Sequence, residues 1–136
     1  ISFRGRLERL ANAFIDEGNN KKAEEILDMS INEMPVDKFG YYSLLLGHLE
    51  DYYKIGAKEK ARNLAVILIG KYQENLKYYA QFEKQDISLV FDEIESNLRQ
   101  YQNLVQATMQ YDDEKYADKV KDDYIKVIDL FKDLIE

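Results

Sequence analysis

Glycine and alanine recur together at one fixed spacing. Gly18 is followed by Ala23, Gly56 is followed by Ala61, and each member of the second pair lies 38 residues after its counterpart. Before the first glycine come Leu7, Leu10-Ala11 and Phe14; before the second come Leu45, His48, Leu49 and Tyr52. After the alanines come Leu27 and Ser30 in one copy and Ala65 and Leu68 in the other. Spacings of three and four on both sides of a glycine mark two amphipathic helices joined by a tight turn. The glycine supplies the positive φ that ends the first helix. The alanine has the small side chain that lets two helix backbones approach. A helix pair of this size cannot bury its apolar face alone, so copies must stack. With one Pro and six Gly among 136 residues, little else interrupts helix formation.

The remaining chain extends the same reading. Pro35 closes the first copy, and Val36-Asp37-Lys38-Phe39-Gly40 form the connection to the second. Ile69, Tyr72, Leu76, Tyr79 and Phe82 continue an apolar stripe, which predicts one helix from about Lys58 to about Phe82. Asp86 is placed to N-cap the next helix, whose inward stripe would be Ile87, Phe91, Ile94, Leu98, Tyr101, Val105 and Thr108. Asp112-Asp113 marks a turn, and Ala117, Val120, Tyr124, Ile128 and Phe131 face inward beyond it, followed by Leu134 and Ile135. This third hairpin lacks the turn glycine and the closing proline, as expected of a diverged hairpin or an end cap. The expected architecture is all-α: about six helices in right-handed antiparallel hairpins, a single helical-repeat domain over 1–136. Its first repeat is 1–35, its second 41–84 with an extended second helix, and its cap 86–136.

Set against the tetratricopeptide pattern, both copies place an aromatic before the turn, a glycine in it and an alanine at the crossing. The chain therefore resembles a tetratricopeptide-like α-solenoid. A second resemblance is more specific. It rests on Phe3-Arg4-Gly5-Arg6-Leu7-Glu8-Arg9-Leu10-Ala11-Asn12-Ala13-Phe14-Ile15-Asp16-Glu17-Gly18, with Lys22-Ala23-Glu24-Glu25-Ile26-Leu27-Asp28 and Met34-Pro35-Val36-Asp37-Lys38-Phe39. Tyr52-Tyr53-Lys54-Ile55-Gly56-Ala57 and Tyr78-Tyr79 continue it. These segments resemble the C-terminal soluble part of a bacterial family of large multi-pass membrane proteins of unknown function, related to protein O-mannosyltransferases. That resemblance implies an appended repeat domain at a bacterial cell membrane, on the extracytoplasmic side, with a glycosyltransferase-like membrane part elsewhere in the parent. The chain opens at Ile1, which reads as a processed or excised form.

In the tetratricopeptide arrangement the first helix of each repeat lines a concave groove. The register puts Glu8, Asn12, Ile15 and Asp16 there from the first repeat, and Leu46, Glu50, Tyr53 and Lys54 from the second. Some members of that family clamp a terminal carboxylate with a Lys and an Asn. Asn12 matches the Asn, but Glu8 stands where the Lys belongs, so a terminal carboxylate would be repelled. The mixed apolar and acidic lining suits a segment bearing basic and aromatic residues.

Composition narrows the chemistry. The formal net charge is −7, which disfavours nucleic acid and anionic bilayers as partners. Arg4, Arg6 and Arg9, like Lys58, Lys60 and Arg62, are interleaved with other residues and read as solvated helix faces. With no Cys, disulfides, thiolate metal sites and thiol nucleophiles are excluded. The longest strongly apolar run, Leu64 to Ile69, is far shorter than a membrane span needs.

The single histidine, His48, sits where the repeat buries an aliphatic side chain, and reads as a core histidine hydrogen-bonded to a neighbouring helix. Ser43 lies five residues before it, about 140° away around a helix, so the two do not form a nucleophile and base. The carboxylates from Asp112 to Asp123 include no glycine for a calcium loop. No metal or cofactor is expected. Tyr41-Tyr42, Tyr52-Tyr53 and Tyr78-Tyr79 are each expected to place one ring inward and one outward. A non-catalytic module for protein, peptide or intramolecular domain binding is the leading expectation. The rivals are a structural accessory with a self-filled groove and, further behind, an enzyme.

Overall fold

The computed structural model describes residues 3–33 and 42–135, all-helical among those residues apart from short connections. Six long helices run in order: α1 (Phe3–Asp16), α2 (Asn20–Glu33), α3 (Tyr42–Lys54), α4 (Lys58–Ala80), α5 (Phe91–Tyr111) and α6 (Glu114–Ile128). A one-turn α7 (Lys132–Ile135) follows. None of the described helices is long and apolar enough to cross a membrane. Pro35, the connection at 36–40 and Tyr41 lie outside the described residues, as do the side chains of Tyr42, Ser43, Leu134 and Ile135. The chain divides into two compact units, Ile1–Ile67 and Leu68–Glu136.

In the first unit the repeated glycines do the same thing to the backbone. Gly18 has φ 79° and Gly56 has φ 82°. Gly18 N–H donates to Ile15 O at 2.9 Å and Asn19 N–H to Phe14 O at 2.8 Å. At the second turn, Gly56 N–H donates to Tyr53 O at 3.1 Å and Ala57 N–H to Tyr52 O at 2.8 Å. Each pair of bonds is a Schellman motif, which uses the helix's last carbonyls and starts the next helix at once. A Cβ added at either glycine meets nothing within 4 Å, so the glycines are required by conformation and not by space. Gly18→Val should therefore lower stability by about 1–2 kcal/mol through backbone strain alone. Gly70→Ala, inside α4 with equally open surroundings, should not. Thermal melts of the two variants check this; an unchanged melt for Gly18→Val would contradict the turn.

α1 packs along α2, and both pack on α3. Leu7, Ala11, Ala23, Leu27 and Ser30 are buried, and so, one repeat later, are Leu45, Leu49, Ala61, Ala65 and Leu68. Two expectations need correcting. Leu10 is 43% exposed, although its counterpart His48 is fully buried. Tyr52 and Tyr53 are both buried, so this pair has no outward ring. The cause is the placement of α3. Its buried residues Leu45, His48, Leu49, Asp51, Tyr52 and Tyr53 span an arc of about 200° at 100° per residue, because neighbours pack on more than one side. On α1 the buried arc is narrower and centres on Arg4, Leu7 and Ala11, which leaves Leu10 on its flank.

The second unit is organised by α5 and α6, which pack together. Tyr101 stacks on Tyr72 with ring centroids 5.6 Å apart and meets Tyr124 edge-on at 4.8 Å. Gln73 Nε2 donates to Tyr101 Oη at 3.0 Å. Asp113 caps α6, its Oδ1 accepting from Tyr116 N–H at 2.8 Å. The helix entering this unit stops at Ala80, two residues before Phe82. Asp86 does not cap a helix through its side chain: a 3-10 turn, Ile87–Val90, intervenes, and α5 begins at Phe91 with Asp92 and Glu93 in its first turn. Phe91 is consequently exposed and Ile87 only half-buried, whereas Leu104 and Ala107 join the core.

Candidate functional site

The groove residues named from sequence all belong to α1 and α3, two helices that pack together in the first unit. Their contact is close. Gly47 on α3 has no side chain, and the Glu8 carboxylate from α1 occupies the space that a Cβ there would fill. Glu8, Asn12, Ile15, Leu46 and Glu50 are half-buried, and Asp16 and Lys54 are exposed. Tyr53, expected on the groove, is instead 8% exposed and contributes to the core. Asn12 commits one amide N–H to its own helix, Nδ2 donating to Glu8 O at 2.9 Å.

One unusual residue of this face is missing from the sequence reading. Asp51 is 2% exposed, and its Oδ2 has no hydrogen-bond partner. Burial, first of all, pushes its pKa from 3.8 up to about 6; Lys54 opposes the shift, and Glu8, Glu50 and Asp16 add to it. Glu8 is raised as well, mainly by burial and then by Glu50, against the pull of Lys54. Four of the named residues, Glu8, Asp16, Glu50 and Lys54, are thus near enough to Asp51 to act on it electrostatically. The signal in the sequence was weak: an acid immediately before a buried aromatic pair, on a helix whose buried arc is wider than one stripe.

A raised carboxylate makes folding favour the protonated form. The stabilisation is complete below about pH 3.8 and is lost as the pH rises through about 6. A two-unit shift is about 3 kcal/mol at most; with solvent reaching Glu8 and Lys54, about 1–2 kcal/mol is expected. The protein should therefore unfold at a slightly lower urea concentration at pH 7.5 than at pH 5.5, by the part of that loss, under about 1 kcal/mol, that falls above pH 5.5. Asp51→Asn should remove most of that difference by stabilising the chain at pH 7.5. A wild-type stability that rises over this interval would refute the assignment.

Other polar groups of the first unit are structural. His48 Nε2 lies 2.7 Å from Ser30 Oγ on α2, both fully buried, which matches a core histidine bonded to a neighbouring helix. Asp28 is held from two sides: Tyr52 Oη donates to Oδ1 at 2.7 Å and Lys60 Nζ to Oδ2 at 2.6 Å. Burial, then this hydrogen bond, raises the Tyr52 phenol, and the Asp28 bond raises Lys60. The trio borders a cleft of about 330 Å³ between α2 and α4, walled by Ile31, Leu64 and Ile67. Among the described residues no three ligating side chains converge to hold a metal ion.

No protein-family model, curated protein or solved structure matches the chain.

Proposed function

We propose that the chain is a non-catalytic helical-repeat module of the tetratricopeptide type that binds a protein segment. The segment belongs to a separate partner or to another domain of the parent chain. The observation that carries this reading is the acidic α1/α3 face, where Glu8, Asp16 and Glu50 act electrostatically on buried Asp51 and, among the described residues, Lys54 opposes them. Such a lining is costly for a purely structural surface and complementary to a basic segment. The repeated Schellman turns support the repeat reading, since the same turn conformation recurs at a 38-residue offset. By the resemblance in its first 84 residues, we propose a membrane-anchored, glycosyltransferase-like parent with this domain outside the cytoplasm. Membrane spans in the parent reading frame test that part.

Burial of Tyr53 favours the rival, a structural accessory whose face is closed by its own side chains. Selection of displayed random dodecapeptides on the folded chain separates the two. The module reading expects recovered peptides enriched in Lys or Arg, whose binding weakens at high salt. Recovery of no binder above background supports the accessory instead.

A further inference from the structure

Buried carboxylates are normally satisfied by a cation or by several N–H donors. Asp51 departs from that pattern: it is 2% exposed, and its Oδ2 is without a hydrogen bond. Three more carboxylates, Glu8, Glu50 and Asp16, lie close enough to act on it, against Lys54. The missing component is positive charge. We propose that the α1/α3 face is a receptor for one lysine or arginine side chain of a partner protein, with Asp51 as the inner anchor and Glu8 and Glu50 at the mouth. The proposal rests on the module reading and gives the partner its chemistry.

Two features fit this occupant. Glu8 is half-buried and reaches from the neighbouring helix across Gly47, one turn before Asp51. A bare metal ion is a poorer fit, because no three ligating groups converge among the described residues. A guanidinium or ammonium bonds a single carboxylate oxygen and needs no such set.

The test uses n-butylguanidinium chloride as probe and n-butylurea as its neutral control, followed by NMR amide shifts at pH 7.5. Saturable shifts are expected at Glu8, Gly47, Glu50 and Asp51 with the cation and not with the urea. Asp51→Asn, close to isosteric and free of the buried charge, should weaken the apparent affinity at least tenfold. Glu50→Gln should weaken it severalfold, and Asp118→Asn on α6 should leave it unchanged. Lowering the pH to 4.5, which protonates Asp51 and neutralises part of Glu8 as well, should weaken binding at least as much as Asp51→Asn. Shifts spread over acidic residues generally, or titrations unaltered in Asp51→Asn, would overturn the anchor. This outcome is separable from failure of the module reading. Selected peptides that bind without a cation and ignore Asp51→Asn sink the anchor and leave the module standing. An absence of selected peptides sinks the module, while the guanidinium titration still decides the anchor.

Discussion

Leu49→Ala is expected to destabilise the protein by about 3–4 kcal/mol. Leu49 is fully buried within the α3 arc, with Leu45 one turn before it and Tyr52 and Tyr53 one turn after. Both leucine and alanine are strong helix formers, so the change leaves the propensity of α3 almost untouched. What it removes is a branched side chain from a helix on which α1 and α2 both pack. The loss combines transfer free energy with the cavity left behind, and buried Leu→Ala changes cost about 2–5 kcal/mol. Collapse around the hole is restricted, because Leu45, His48 and Tyr52 on the same helix are themselves fixed by burial or by hydrogen bonds to α2. The comparison is Leu10→Ala, the same deletion at a site 43% exposed, which should cost less than about 1 kcal/mol. Urea unfolding read by circular dichroism, with unchanged slopes, measures both. Equal losses would mean that α3 is not the central helix of its unit.

The parts of this fold legible in the sequence are those with few physical solutions. A positive φ at a helix end is cheap only for glycine, so Gly18 and Gly56 announced both turns, and the same residues carry the same hydrogen bonds. Asp112-Asp113 announced the third turn through a local bond to the backbone of α6. His48 could be placed in the core because the repeat leaves no polar surface at its position. Less legible was anything that depends on how many neighbours a helix has. A periodic stripe identifies the centre of a buried face but not its width. Leu10 and His48 occupy equivalent positions and differ completely in exposure, because α3 is enclosed over a wider arc than α1. The same width buried Tyr53 and Asp51, so a residue assigned to the groove moved into the core and the most unusual carboxylate passed unnoticed. At α5 the failure was local. Four residues of 3-10 turn keep the spacing of three and four, so Ile87–Val90 read as helix, and the start was placed too early.

Ala23→Leu and Ala61→Leu should each cost about 2–3 kcal/mol, and the two losses should agree within about 1 kcal/mol. Both alanines are fully buried, and both open their helices with the same bond: Ala23 N–H donates to Asn19 O at 3.1 Å, Ala61 N–H to Ala57 O at 3.0 Å. Three added carbons find no space in a close-packed crossing, so the helices must separate or the leucine must leave its rotamer wells; either response costs about 1–3 kcal/mol. Helix propensity contributes almost nothing to the difference, so the penalty reports packing alone. Ala13→Leu, on the exposed side of α1, calibrates that claim and should be near neutral. Urea midpoints for the three variants decide the matter. If Ala61→Leu were tolerated while Ala23→Leu was not, the two turns would share a backbone conformation without sharing a crossing. The 38-residue equivalence would then be a similarity of loops and not a repeat, and a groove built from corresponding helices would lose its basis.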